Sequence, residues 1–207
     1  MANKAFSNLV LDDGTKVYTQ EYIQSLRDAD KKHPDKLKIV AQRGGQEDML
    51  AIDADIKICG GSRGGSKSFS SLMEVLKDIK NPDFHAVILR NEKDDLQSLV
   101  TDSYKLFSQF GTYNKSQNDM TWNFDNGGWL KFSYYAGAYQ DFKTRFQGRQ
   151  FAYICIDEGT QCPYKKFKYL LTNNRNAAHI RNRFWITCNP DPESWVRKFI
   201  DWWVGED

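Results

Sequence analysis

Apolar and polar residues follow two patterns along this chain. Short, mostly apolar runs occupy residues 56–59, 85–90, 151–156 and 184–188, and each has the length of a buried strand. Elsewhere apolar residues recur every three or four positions, which predicts amphipathic helices. These helical positions are Leu72, Val75, Leu76 and Ile79; Leu96, Leu99, Val100, Tyr104 and Phe107; and Trp195, Phe199, Ile200, Trp202 and Trp203.

A hairpin is predicted in the middle of the chain. Alternating apolar residues at 120–124 and 130–134 flank the turn sequence Asp125-Asn126-Gly127-Gly128. The predicted order is strand, helix, strand, helix, hairpin, strand, helix, strand, helix. This order indicates an α/β fold with a mainly parallel sheet, flanking helices and an antiparallel hairpin at one edge.

The first 37 residues differ from the rest because they are charged and lack a long apolar run. We expect residues 1–37 to form a peripheral arm and residues 38–207 to form one domain. A length of 207 residues suits a single domain with such an extension.

A glycine-rich segment follows the first strand and precedes the first strong helix. Its spacing matches the G-x-x-x-x-G-K-[ST] phosphate loop at Gly61, Lys67 and Ser68, but Ser66 replaces the second glycine. In such a loop Lys67 meets the β- and γ-phosphates of a nucleotide and the Ser68 hydroxyl binds Mg²⁺. A flexible surface turn is the alternative, and the strand before and the helix after disfavour it.

Polar residues end the last two predicted strands. Asp157 and Glu158 follow one strand, where Asp157 is predicted to hold the waters of Mg²⁺ and Glu158 to activate a water for attack. A strand ending in solvated acids is the alternative. Thr187 and Asn189 alternate with apolar residues at the end of the other strand. Together with the other two motifs this suits a sensor of the γ-phosphate, and an ordinary strand end is the alternative.

In this order the three motifs resemble the ATPase domain of phage large terminases, the motors that package DNA into procapsids. The resemblance covers about residues 38–203 and implies a P-loop NTPase of the ASCE, RecA-like class. It implies that the nucleotide-binding residues are Gln46, Ser62, Arg63, Gly64, Gly65, Ser66, Lys67 and Ser68. The catalytic residues would be Glu158, Lys67, Arg63 and Arg145, the metal-binding residues Ser68 and Asp157, and the coupling residues Thr187 and Asn189. A solvated glutamine at a helix start is the alternative for Gln46.

The resemblance also implies cofactors and partners. The cofactors are ATP and Mg²⁺, and the partners are double-stranded DNA, portal protein and the small terminase subunit in a homo-oligomeric ring. Such a ring presents an arginine finger to the neighbouring subunit, and we favour Arg145 over Arg149, with ordinary surface arginines as the alternative. Large terminases continue into a nuclease domain, which we expect on a missing part of the protein or on another chain, so we expect no DNA cleavage by this chain. The isolated chain is expected to be mostly monomeric.

Composition adds little to this picture. The net charge of +2 is too small to indicate a nucleic-acid binder by itself, so a local patch is needed to meet DNA. Candidates are Lys165, Lys166 and Lys168, with a solvated helix face as the alternative. Four scattered cysteines predict reduced thiols. The sequence has no apolar run long enough to span a bilayer and no charged-then-apolar leader. We therefore expect the protein in the cytoplasm of the bacterial host cell, neither in a membrane nor secreted.

Two other functions fit the first two motifs. A DNA helicase fragment would share them, but its third motif usually differs from Thr187-Cys188-Asn189-Pro190 and it needs a second RecA-like domain. A non-catalytic assembly module that binds nucleotide, or only portal protein, without turnover is the other alternative, and Ser66 is the residue that favours it. ATP hydrolysis measured with and without duplex DNA separates these possibilities.

Overall fold

A computed structural model describes residues 9–10, 16–18, 39–42, 44–61, 66–116, 119–177 and 179–204. The strands are β1 (Leu9–Val10), β2 (Lys16–Tyr18), β3 (Ile39–Val40), β4 (Ile56–Cys59), β5 (His85–Arg90), β6 (Gly111–Asn114), β7 (Thr121–Phe124), β8 (Trp129–Tyr134), β9 (Tyr153–Ile156) and β10 (Arg183–Thr187). The α-helices are α1 (Gly45–Ala51), α2 (Lys67–Val75), α3 (Leu96–Phe107), α4 (Tyr139–Phe146), α5 (Tyr164–Asn173) and α6 (Trp195–Val204). A 3₁₀ turn spans Gly159–Gln161.

The central sheet has seven strands in the order β4-β10-β9-β5-β8-β7-β6. The strands from β4 to β8 in this order are parallel, whereas β7 and β6 are antiparallel to their neighbours. Strand β10 therefore lies between β4 and β9. The ends of these three neighbouring strands bring the glycine-rich loop, the two acids and the third motif to one edge of the sheet.

The α/β prediction and the hairpin are confirmed. The Phe124 N–H donates to the Gly128 carbonyl at 2.8 Å, and Gly127 takes the positive φ of +106° that a tight turn demands. The predicted order lacks β6 and α4, and it also lacks the short strands β1–β3 and helix α1. Strand β6 extends the hairpin into a three-stranded antiparallel edge, and helix α4 connects that edge to β9.

Helices cover both faces of the sheet. Because side chains alternate along a strand, Ala86 and Ile88 of β5 pack with α2 and α3, whereas Val87 and Leu89 pack with α4 and α5. Helix α6 joins the second face through Trp195, which stacks on Phe167 with ring centroids 4.5 Å apart. Burial on both faces explains the nearly continuous apolar strands.

A small second sheet lies near the start of the chain. Strand β1 pairs antiparallel with β2, and β2 pairs parallel with β3. Most of the predicted arm, residues 1–37, lies outside the described residues, so its peripheral position stays a prediction. Among the helices that the structure describes, none is long and apolar enough to cross a bilayer.

Candidate nucleotide-binding site

The glycine-rich loop joins β4 to α2. Its two ends are described, whereas Ser62, Arg63, Gly64 and Gly65 lie outside the described residues. Ser66 precedes α2 with φ 55° and ψ 16°, the left-handed conformation for which glycine is usual. Serine therefore adopts here a backbone conformation that glycine usually takes.

Lys67 connects the start of the loop with the third motif. Its Nζ donates to the Gly61 carbonyl at 2.7 Å and to Asn189 Oδ1 at 3.3 Å. Asn189 is 122 positions away in sequence, and the parallel neighbours β4 and β10 bring it to this point. The predicted phosphate-binding cation and the predicted sensor amide are thus in contact.

Asp157 is the centre of the polar contacts at this edge. Its carboxylate is fully buried and accepts hydrogen bonds from Ser68 Oγ at 2.9 and 3.0 Å and from the Thr187 hydroxyl. Arg90 Nε completes an ion pair with it at 2.6 Å. Burial opposes the charge of Arg90, but Asp157 outweighs that effect and the pKa of the guanidinium is raised.

Glu158 follows in an uncommon backbone conformation, with φ 57° and ψ 45°. Its N–H donates to Thr187 Oγ1 at 3.2 Å and its carbonyl accepts from the Tyr135 hydroxyl at 3.1 Å, so both neighbours fix the peptide. The side-chain oxygen Oε2 accepts from Gln161 Nε2 at 3.0 Å. Thr187 therefore contacts both acids of the second motif.

These groups line one cleft of about 460 Å³. Its walls are Ser66, Lys67, Ser68, Phe69, Arg90, Asp102, Asp157, Glu158, Thr187, Cys188 and Asn189. The Ser68 hydroxyl and the Asp157 carboxylate supply hard oxygen donors side by side, which are the ligands that Mg²⁺ prefers. These residues therefore fit a magnesium ion. Within the described ranges, no group of three or more His, Cys, Asp or Glu side chains offers an alternative metal site.

Gln46 lies in the first turn of α1 and is buried, so the alternative of a solvated glutamine is wrong. Its Oε1 accepts the Gln42 N–H at 2.7 Å. The Gln42 side chain in turn accepts from Ser66 Oγ at 3.2 Å. Gln42 therefore links Gln46 to Ser66 at the end of the loop. The role of Gln46 in reading adenine stays a prediction.

Arg145 and Arg149 lie in and just after α4. The Arg145 guanidinium donates to the carbonyl of Tyr134 in its own chain at 2.7 Å. Its Cζ atom lies over the Tyr134 ring, 3.8 Å from the ring centroid. Tyr134 pairs with Arg90 across β8 and β5, so Arg145 lies at the same sheet edge as the cleft. Arg149 is exposed. A role for Arg145 in a neighbouring subunit requires these contacts to break.

The three lysines of α5 do not form one surface. Lys165 and Lys168 are exposed, but Lys166 is buried and its Nζ donates to the carbonyls of Tyr135 and Gly137, both at 2.6 Å. The interpretation of Lys166 as a DNA contact or a solvated residue is therefore wrong. It joins α5 to the chain that follows β8.

Arg90 and Asp102 also line the cleft but were not among the predicted site residues. Arg90 ends β5, the strand beside β9, and the strand-end position was the only signal that pointed to it. Asp102 lies one turn beyond Ser98, to which the Arg90 guanidinium donates at 3.1 Å.

The family model of the N-terminal part of the T4likevirus-type terminase large subunit matches residues 58–207. The chain belongs to this family of large terminases. The resemblance of the three motifs is thereby confirmed. A search of curated proteins finds no match.

Solved structures of large terminases share the fold of this terminase domain. A large terminase from a thermophilic bacteriophage is 19% identical with a TM-score of 0.57, over 74% of this chain and 39% of that one. The HK97 bacteriophage large terminase is 11% identical with a TM-score of 0.58, over 98% and 40%. The large terminase ATPase domain of Thermus phage P74-26 is 14% identical with a TM-score of 0.56, over 76% and 68%.

The first of these enzymes, from the thermophilic bacteriophage, has also been solved with ADP and with ATP-γ-S. Our chain corresponds to about two fifths of the length of that enzyme and of the HK97 large terminase. At these identities the likeness concerns the fold, which is that of a P-loop NTPase.

Proposed function

We propose that this domain hydrolyses ATP with Mg²⁺ and thereby powers the packaging of double-stranded viral DNA into a procapsid. One observation carries the proposal. Lys67 and Ser68, adjacent at the start of α2, contact Asn189 and Asp157 at the ends of β10 and β9. A binder of phosphate alone needs only the loop. The carboxylates of Asp157 and Glu158 and the side-chain amide of Asn189 are the additional groups that metal-assisted hydrolysis uses.

Binding of the nucleotide rests on the start of α2. The N-terminal N–H groups of a helix attract phosphate, and the Lys67 ammonium adds a full positive charge beside them. Ser68 and Asp157 would hold Mg²⁺, which neutralises charge on the β- and γ-phosphate oxygens when bound. Gln46 would read the adenine edge through its side-chain amide, and Arg63 would approach the γ-phosphate.

Hydrolysis rests on Glu158. As a general base it accepts a proton from the attacking water, and Gln161 holds its carboxylate in place. Thr187 contacts the Asp157 carboxylate and the Glu158 N–H, so a movement of β10 reaches both acids. This arrangement supports the proposal that Thr187 and Asn189 couple the state of the nucleotide to movement.

Assembly would complete the site. Arg145 of one subunit would leave Tyr134 and act as a finger in the next subunit of a homo-oligomeric ring, where an arginine finger contributes about 10³-fold or more in rate. The other proposed partners are duplex DNA, portal protein and the small terminase subunit. We propose no nuclease activity for this chain, and the isolated chain is expected to be monomeric and slow.

Steady-state ATP hydrolysis with and without Mg²⁺ tests the proposal. Lys67→Ala should lose nucleotide binding, whereas Glu158→Gln should bind ATP and lose turnover by about 10²-fold or more. The control Lys115→Ala removes an exposed lysine at the far edge of the sheet and should behave as wild type. Wild-type binding without turnover, even in the presence of duplex DNA, would support the assembly module instead. Equal turnover by wild type and Glu158→Gln would remove the mechanism.

A further inference from the structure

A buried ionic cluster lies behind the nucleotide site, around Glu74 of α2. The Glu74 carboxylate is fully buried and meets three cations: Lys57 Nζ at 3.2 Å, Lys77 Nζ at 2.9 Å and Arg183 Nε at 2.9 Å. Asp78 pairs with the other side of the Arg183 guanidinium. The Arg183 contacts are ion pairs whose angles are not those of hydrogen bonds.

Each cation comes from a different part of the site. Lys57 belongs to β4, which leads into the glycine-rich loop, and Arg183 belongs to β10, which ends at Thr187. Lys77 also donates to the Leu50 carbonyl at 2.9 Å, in the last turn of α1. Lys57 approaches the Met49 carbonyl of the same turn at 3.5 Å.

One carboxylate thus joins the four elements that carry the proposed nucleotide contacts. Helix α1 carries Gln46, β4 delivers the loop, α2 begins with Lys67 and Ser68, and β10 ends at the third motif. Apolar side chains would pack these elements as stably, because removing charges from water offsets most of the attraction between them. Buried ion pairs differ in that a charge that loses its partner is strongly penalised, so they hold each element within contact distance of Glu74.

Helix α2 connects Glu74 to the cleft, so the placement of Glu74 sets the placement of the residues at the start of the helix. Glu74 lies six residues after Ser68, which is about 9 Å along the axis of α2. Because the helix moves as a unit, a slide of α2 against β10 at Glu74 displaces Ser68 from Asp157 and Lys67 from Asn189 by the same amount. An error of about 1 Å in such a site is costly.

We propose that Glu74 is a positioning residue for nucleotide binding, which sets the placement of α1, α2, β4 and β10 around the cleft. This inference rests on the proposed nucleotide-binding function. Glu74 touches no nucleotide, and it acts through Lys57, Lys77 and Arg183.

Variants of the full chain separate positioning from stability. Glu74→Gln keeps the shape and removes the charge, and Lys77→Met breaks the link to Leu50 at a side chain that is 21% exposed, so this second variant should fold. The control is Ser103→Ala, which removes the buried bond from Trp122 Nε1 to Ser103 Oγ (2.8 Å) between α3 and β7. All three should lower Tm.

Affinity for a fluorescent ATP analogue with Mg²⁺ is measured at a temperature where every variant is folded by circular dichroism. Glu74→Gln should raise Kd about tenfold and Lys77→Met about threefold, in line with a displacement of about 1 Å or less. Ser103→Ala should leave Kd unchanged.

Lys67→Ala shows whether a negative result concerns the positioning role of Glu74 or the proposed nucleotide-binding function. If Lys67→Ala loses binding while Glu74→Gln and Lys77→Met bind as wild type, the positioning role is overturned and the proposed function stands. If Glu74→Gln does not fold, wild-type Kd in Lys77→Met overturns the inference. Wild-type chain that binds no nucleotide overturns the proposed function, and the inference with it.

Discussion

Thr187→Val is the substitution that tests the coupling of the two acids most sharply. Valine matches threonine in shape, so the change removes only the hydroxyl. That hydroxyl donates to Asp157 and accepts the Glu158 N–H at 3.2 Å, and Thr187 is buried. A hydrogen bond to a charged group contributes about 1.5–3 kcal/mol and a neutral one about 0.5–1.5 kcal/mol, so the free energy of unfolding should fall by roughly 2–4.5 kcal/mol.

Turnover should fall as well. Glu158 is held in a left-handed conformation that costs roughly 1–2 kcal/mol, and without the Thr187 hydroxyl its peptide is free to relax. A misplaced general base should reduce kcat by about 10- to 100-fold.

Urea denaturation and a steady-state ATPase assay measure the two effects, with Thr187→Ser as the control that retains the hydroxyl. If Thr187→Val loses stability but keeps wild-type kcat, the hydroxyl is purely structural and the coupling argument fails.

Three further predictions concern buried or strained side chains. Burial lowers the pKa of Lys57 from 10.5 to about 8, so between about pH 8 and 10 the folded state has lost a proton that the unfolded state still binds. The free energy of unfolding, measured by urea titration, should therefore rise over this pH range, and Lys57→Met should abolish the rise. Ser66→Gly should raise that free energy by about 1 kcal/mol by relieving the left-handed serine, and no gain in stability would contradict the strain. Burial raises the pKa of the Cys59 and Cys162 thiols to about 12, so Ellman's reagent should react with the cysteines only after denaturation.

The main strands were predictable because they are buried on both faces. Every residue of β9 and β10 is buried, and all of β9 and the middle of β10 (residues 184–186) are apolar, which makes these strands visible in the sequence. Strand β6, with the sequence GTYN, lies at the edge of the sheet and buries no residue fully, so it has no apolar signature. Helix α4 offers only Phe142 and Phe146 to the core, too few for a periodic signal.

Site residues were predictable where a motif fixes the spacing. Lys67, Asp157 and Asn189 line one cleft because parallel strands end at one edge of the sheet. Arg90 and Lys166 were not, because their environments depend on tertiary neighbours. Arg90 acquires Asp157 as a partner across two adjacent strands, and Lys166 is drawn inward by two carbonyls that no local pattern reveals.

A crystal structure of the chain with Mg²⁺ and a non-hydrolysable ATP analogue would show whether this cleft binds nucleotide. We expect the β- and γ-phosphates against Lys67 and the N-terminus of α2, with the metal at the Ser68 hydroxyl and beside Asp157. The same structure reports whether Arg90 keeps its ion pair with Asp157. A nucleotide bound elsewhere, or bound in this cleft without contact to Lys67, would refute the proposed nucleotide site.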